Sequence, residues 1–317
     1  MNKLAKSLYE NSSQYLIILF LILASFNLIA QDSDESEYIE SVTIIGSKED
    51  VKDLAGSGAV ISNEDLQKAM DTDIQKILTA VPGIYMRTEE GYGLRPNISI
   101  RGTAIERSGK VTIMEDGILV APAPYTASSA YYFPTTGRIH AVEVLKGPAV
   151  VSQGPQTIGG AINLISTPIP KVASGKFIQE IGENGMTRTH TYYGASQGNF
   201  GALVEIHEHA SDGYDSIANV GGDTGFDKSD LMIKANYTSG NHSLTFKRVD
   251  LDETSNQSYV GLSQASFNAN PRMRYGATAY DKMMNDGEQT SLTYEGSFNN
   301  FDVRFTSWQN DYQREWF

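Results

Sequence analysis

Arginines are the residues of this chain best placed to hold a ligand. Arg87, Arg95 and Arg101 flank a glycine-rich segment at 91–97, and Arg107 follows in the next loop. A guanidinium donates two parallel hydrogen bonds to a carboxylate, so arginines gathered at loop tips would make a cationic floor for an anionic ligand. The alternative is structural: each arginine could tie its loop to an acidic partner. For Arg87 and Arg95 the two readings carry equal weight. A second set, Glu205, His207 and His209, alternates along the chain and so shares one face of a strand. Imidazole and carboxylate are metal ligands, but a polar surface bonded to whatever it faces accounts for them better, and no metal site is expected. Gly147-Pro148 and Gly154-Pro155 lack the Gly-Lys-Ser/Thr ending of a phosphate loop and read as turns. No nucleophile–base pair stands out, so neither catalytic residues nor an enzyme activity is expected.

The elements that must position these residues begin with a secretion signal. Lys3 and Lys6 give a positive start, Tyr15 to Ile29 is apolar, and Ala30 offers a small residue for cleavage. That run is shorter than the roughly 20 residues a spanning helix needs. Residues 1–30 therefore read as a signal peptide. There is no cysteine, which excludes disulfides and thiolate metal sites. A net charge of −13 argues against a nucleic-acid partner, which would want a basic face. After residue 30 no long apolar run remains, so any membrane crossing must use β-strands.

Residues 62–83 read as helix. Ser62 and Asp65 have capping-box spacing, Thr72 and Gln75 repeat it ahead of Ile74, Ile77 and Leu78, and Pro82-Gly83 stops the second helix. Short β-branched strands and turns fill 97–169, and Pro168 and Pro170 mark a hinge. Beyond Ser174 the segments lengthen, with strands expected near 175–182, 187–197, 200–210, 228–239, 242–251, 288–298 and 301–311. Leu231, Ile233, Ala235 and Tyr237 oppose Asp230, Lys234, Asn236 and Thr238, interrupted by Met232. Ala202, Val204 and Ile206 oppose Glu205, His207 and His209. Each strand approaches the roughly 9–11 residues that cross a bilayer when tilted. Gly198-Asn199, Ser239-Gly240-Asn241 and Asn299-Asn300 are tight turns, whereas 211–227 and 252–287 are long links. A first strand rising from the periplasm puts every tight turn inside and every long link outside, as in transmembrane barrels. The Glu205 face then points into the lumen.

The order of several motifs resembles the plug domain of TonB-dependent outer-membrane receptors. They are Val81-Pro82-Gly83, Ile100-Arg101-Gly102, Met114-Glu115-Asp116-Gly117, Val142 to Pro148 and Gly154 to Ile165. The resemblance implies an α+β plug domain followed by the first seven or so strands of a transmembrane antiparallel β-barrel, about 22 strands when complete. It divides the chain into a signal peptide (1–30), a periplasmic segment with a TonB box (31–47), a plug (48–170) and the N-terminal part of a barrel (171–317). An open barrel edge in lipid is unsatisfied, so the chain reads as a truncated product or a partial sequence. Ile39, Glu40, Ser41, Val42, Thr43, Ile44 and Ile45 resemble the TonB box, the peptide an energy-transducing TonB partner takes by strand addition; on local sequence alone a first plug strand fits equally, and the plug beside it favours the box. Only a few acidic residues separate Ala30 from Tyr38, so no signalling domain is expected there.

Within that family, Ala121-Pro122-Ala123-Pro124-Tyr125, Phe133-Pro134 and Gly154-Pro155-Gln156 resemble the ferric-dicitrate branch. This implies TonB-dependent import of an iron chelate, ferric citrate or a similar anionic siderophore, across the outer membrane of a Gram-negative bacterium. Arg101 is the motif-matched arginine, although Arg-Gly recurs in receptors of many ligands and a tie to the barrel wall weighs more. Tyr125, Arg272 and Arg274 join the candidate ligand residues. Thr126-Ala127-Ser128 replaces the branch's Gly-Gln-Pro, Gln153 replaces a frequent tyrosine, and Met283 to Asp286 replaces a basic run. Expected partners are TonB, the ferric chelate and outer-membrane lipid, with no nucleic acid and no cofactor; iron rides with the ligand. A receptor for a non-iron nutrient, or a passive porin or adhesin with a vestigial plug, is the alternative.

Overall fold

A computed structural model describes residues 43–54, 56–70, 73–89, 91–120, 132–147, 150, 153–154 and 158–317. The expected signal peptide, Ile39 to Val42 of the TonB box, and Tyr125 lie outside the described residues.

The first body is built on strands β1 (Ser57–Ile61), β2 (Ile84–Arg87), β3 (Asn97–Ile100), β4 (Val111–Glu115), β5 (Ile118–Leu119), β6 (Ile139–Lys146) and β7 (Gly160–Ser166). Five of these form one sheet in the order β1-β6-β7-β4-β5, parallel only between β4 and β7, while β2 and β3 form a separate hairpin. Val142, Val144, Ile162 and Leu164 are fully buried on the two central strands. Burying each such side chain is worth roughly 1.5–3 kcal/mol. Gly160 sits where a Cβ would meet the Leu145 carbonyl at 2.4 Å, so only glycine lets these strands close.

Two short helices cover the sheet. Helix α1 (Asn63–Ala69) carries the expected capping box, with Ser62 N donating to Asp65 Oδ2 at 2.8 Å and Asp65 N to Ser62 Oγ at 3.3 Å. It ends at Met70, whose left-handed φ of 54° separates it from α2 (Ile74–Thr79). The cap of α2 is Asp73, whose carboxylate accepts from Gln75 N at 2.8 Å. The expected cap, Thr72, lies outside the described residues. An aspartate two positions before Gln75 reaches its N–H as well as a box residue would. Ile74, Ile77 and Leu78 then enter the core.

The second body is a seven-stranded antiparallel meander in the order β16-β15-β13-β12-β10-β9-β8. Its members are β8 (Ser174–Ile181), β9 (Thr187–Gln197), β10 (Phe200–Ser211), β12 (Phe226–Ser239), β13 (His242–Ser255), β15 (Met283–Phe298) and β16 (Phe301–Trp316). All seven expected strands are present. Two differences have physical causes. β13 and β15 pair up to Ser255↔Met283, so the second long link shrinks to 256–282. Of the added residues, Asp252 to Ser255 are all polar and Met283-Met284 are two adjacent apolar residues followed by Asn285-Asp286-Gly287, so hydrophobic alternation does not mark them. The first outer connection, 182–186, is also tight, closed by Gly182 N donating to the Met186 carbonyl at 2.8 Å.

Inward and outward faces alternate as expected. Phe200, Ile233, Tyr237, Leu244, Phe246, Leu292, Phe298, Phe301 and Phe305 are exposed on the outer face. Phe200 and Tyr237, and Phe298 and Phe301, stack beside the tight turns, the place of an interfacial aromatic girdle. Met232, the interruption on β12, is fully buried with Ile169, Leu203 and Val249. It is apolar because it packs against the chain leaving the plug.

Ile233 faces lipid near the middle of β12. In the complete protein, Ile233→Arg is expected to cost about 2–4 kcal/mol, whereas Asn236→Ser on the opposite face costs about 1 kcal/mol. Urea titration of folding into lipid vesicles checks both.

Candidate functional site

Between the plug and the outer ends of the strands lies a cleft of about 250 Å³. Plug residues Glu89, Tyr92, Arg95 and Arg107 form its floor, and Tyr214, Asp215, Tyr259, Arg274 and Trp316 line its sides. The β2–β3 hairpin explains the floor. Arg87 pairs with Asn97 at its outer end, so residues 88–96 form the tip of the plug, and the turn at Glu106–Ser108 returns beside it. Arg107 N donates to Asn97 Oδ1 at 2.8 Å, which fixes that return.

The two outer links form the sides. β11 (Ser216–Ile217) and β14 (Met273–Arg274) pair in parallel across them, and α3 (Gln264–Ala269) caps the longer link. Aromatic rings tie links to plug: Tyr92 lies 5.5 Å from Tyr214 and 4.6 Å from Phe226. Arginines lie over rings as well, with Arg107 above Tyr259 and Arg272 above Tyr214. Burial pushes the Tyr92 phenol up to about 12 and raises the Asp215 carboxyl; Arg274 and Arg272 act against the latter shift.

The candidate arginines do not all meet. Arg95 and Arg274 line the cleft, and Arg272 stands at its side. Arg95 is buried and already engaged: its guanidinium pairs with Glu253 on β13 and donates to Gln257 Oε1 at 2.9 Å. It therefore ties plug to wall as well as flooring the cleft. Arg274 donates to the carbonyls of Asn256, at 2.5 Å, and Thr278, at 2.7 Å. Arg87 is exposed and paired with Glu106 at 2.7 Å. Arg101 lies at the other end of β3, at φ 54°, donating to Ser57 Oγ at 2.8 Å. The hairpin register separates it from the cleft, so Arg101 is no part of the cleft floor. Arg107 pairs with Glu89 at 2.8 Å.

Below the cleft, plug and wall are joined by buried charges. Arg138 donates to Glu115 Oε1 at 2.5 Å and to Asp230 Oδ2 at 2.9 Å. Lys247 reaches Glu115 at 2.5 Å and Asp116 at 2.7 Å, and Lys234 lies 3.6 Å from Asp116. Sequence reasoning used Glu115-Asp116 only as a family motif and missed this role. The signal was available: Asp230 and Lys234 sit on the inward face of β12, where a charge needs a partner.

Glu205 and His207 are buried on the inward face of β10, with His209 beside them. Glu205 Oε1 accepts from Thr167 Oγ1 of the plug at 2.8 Å and lies 2.6 Å from His190 Nε2 on β9. Among the described residues no group of three or more such side chains is arranged to hold a metal. Of the three, Glu205 is bonded to the plug, whereas both ring nitrogens of His207 are buried without a hydrogen-bond partner.

At the inner end, Thr43, Ile44 and Ile45 of the expected TonB box lie against the plug. Arg304 of β16 donates to the Thr43 carbonyl at 3.2 Å, and Ile45 is buried with Met114, Leu145, Val150 and Ala161.

Residues 50–161 match the family model of the TonB-dependent receptor plug domain. The vitamin B12 transporter BtuB of Photobacterium profundum is 23% identical over 88% of this chain and 48% of its own length. The iron-regulated outer membrane virulence protein of Vibrio cholerae is 30% identical over 46% of this chain and 22% of its own. The chain thus spans less than half the length of these curated relatives. Among solved structures, the ferric citrate transporter FecA superposes with a TM-score of 0.73 at 21% identity, covering 89% of this chain and 43% of that one. The ferric yersiniabactin receptor FyuA of Yersinia pestis gives 0.67 at 19% identity, covering 83% and 42%.

Arg138→Leu would strand Glu115 and Asp230 without their shared cation. The expected cost is about 3–5 kcal/mol, seen as plug unfolding at lower urea in the complete protein while the barrel transition stays in place.

Proposed function

We propose that this chain, whose residues 50–161 match the plug-domain model of the TonB-dependent receptors and whose fold follows theirs, is such an outer-membrane receptor and serves energy-coupled import of an anionic iron chelate. Ferric citrate or a similar siderophore is the substrate class. The observation behind this reading is the outward cleft, where Arg95, Arg107 and Arg274 of plug and outer links converge on one space. Ligand enters from outside and rests on the plug tip. The paired outer links carry Arg272 and Arg274 and move as one unit over it. The TonB partner takes the peptide at 39–45 and draws on it, and the plug rearranges to let the ligand pass. No covalent step is involved, and iron is cargo held within the chelate.

The likeness to the ferric citrate transporter favours citrate, and the motif at 121–125 agrees with it. The rings of Tyr92, Tyr214, Tyr259 and Trp316 around the cleft favour a second reading, a larger chelate or nutrient with a flat apolar face. Both readings keep the same receptor and the same energy coupling.

Uptake of radiolabelled ferric citrate by cells carrying the complete reading frame, with and without residues 40–45, tests the proposal. Uptake that depends on those residues is the expected result. Uptake indifferent to the deletion would mean passive passage, and none in either strain, with the receptor at the surface, would remove citrate. Two carboxylates line the cleft; Glu89 is paired with Arg107, which makes Asp215 the one to test as an opponent of an anion. Asp215→Asn is expected to tighten binding of the ferric chelate at neutral pH about threefold to fivefold, equivalent to roughly 0.6–1 kcal/mol of screened repulsion. The parent should gain the same advantage as pH falls and Asp215 protonates, a gain the variant lacks. Equilibrium binding across pH checks it.

A further inference from the structure

Ile44, Ile45 and Gly46 present three successive backbone N–H groups to one side chain, the Glu143 carboxylate of β6. Ile44 N donates to Oε2 at 2.9 Å, and Ile45 N and Gly46 N donate to Oε1 at 2.8 and 2.9 Å. Successive N–H groups curved in this way form an anion-binding nest. Gly46 supplies the curvature at φ +95°, a conformation other residues rarely adopt. The fourth donor is Asn163 Nδ2 on β7, at 2.8 Å. Glu143 is 1% exposed, and among the described residues it has no ion-pair partner. Its charge is balanced by dipoles, and three of the four donors belong to the segment 44–46.

The same contact leads to the wall. Asn163 Oδ1 accepts from Gly117 N at 2.8 Å. The neighbouring Asp116 is the carboxylate that Lys247 reaches. Three hydrogen bonds in series, through Glu143 and Asn163, therefore connect the N-terminal segment to the turn that anchors the plug. Ile45 closes the apolar side of the site between Met114 and Leu145.

We propose that Glu143 is a positioning residue that latches residues 44–46 onto the plug until the peptide they belong to is drawn away. The role assigned to that peptide rests on the TonB-dependent reading above; the latch itself is a property of the plug. Withdrawing the segment strips a buried carboxylate of most of its donors, and an uncompensated buried charge is strongly unfavourable. The latch is thus cooperative: the segment is held by all three bonds together, and its departure loosens β6 and β7 at the centre of the sheet.

The chain has no cysteine, so one introduced thiol reports on one place. Ile44→Cys leaves the backbone donors intact, and Ile98→Cys, at a fully buried position, reports on the plug core. Maleimide labelling of each is measured in outer membranes holding the complete receptor, with Glu143 and with Glu143→Gln, whose amide turns donors toward donors. Labelling at 44 is expected to rise about tenfold or more, the factor that loss of one charge-assisted hydrogen bond gives, while labelling at 98 stays unchanged. Labelling at 44 that remains within about twofold of the parent, or a parallel rise at 98, would overturn the latch. The assay needs no partner and no ligand. Failure of the import reading would appear as uptake indifferent to residues 40–45 with labelling still latched. Failure of the latch would appear as unchanged labelling with uptake still dependent on that segment.

Discussion

Buried charge between plug and wall is the constraint on which the rest of this structure depends. A barrel wide enough to admit a ligand has a polar lumen, and its inward side chains include Asp230, Lys234, Lys247 and Glu253. Lysine and aspartate removed from water are costly unless partnered. The plug supplies the partners: Glu115 and Asp116 for the lysines, Arg138 for Asp230, Arg95 for Glu253. Each body completes the other electrostatically. The plug is bound by ion pairs and hydrogen bonds more than by apolar packing, whose only buried plug–wall cluster among the described residues centres on Ile169, Leu203, Met232 and Val249.

Such an interface can give way in steps. Ion pairs can exchange partners or water one at a time, whereas a close-packed apolar interface resists partial displacement. The plug's own strength lies elsewhere, in the fully buried aliphatics of its central strands. Such polar bonds stand at both ends of the plug. Arg95 sits under the outer cleft and on the wall, and Asp116-Gly117 sits between the wall and the carboxylate that holds residues 44–46.

The cleft is less cationic than its arginines suggest. Arg95 and Arg107 each face a carboxylate within the protein, and Arg274 is engaged by two carbonyls. An anion arriving there competes with those partners or shares the guanidinium with them. This favours a ligand large enough to touch several arginines and the rings beside them.

The sequence by itself determined the seven wall strands, their facing, the capped helix at Ser62 and the plug motifs, because strand alternation, capping and turn chemistry are local and leave a period of two or a fixed offset. It missed the upper parts of β13 and β15, where Asp252 to Ser255 are all polar and Met283-Met284 are adjacent, so no period of two survives. Only the tertiary structure decided which arginines share a space. Arg101 and Arg95 lie six residues apart but at opposite ends of β3, since an extended strand carries the chain about 3.3 Å per residue. Arg95 and Arg274, far apart in sequence, line one cleft because a link between wall strands folds back over the plug tip. The pairing of Glu115 with Arg138 and Lys247, and of Glu143 with the N-terminal segment, was likewise invisible in the chain. Opposite charges meet by topology, and nothing in local sequence says which carboxylate will be buried beside which cation.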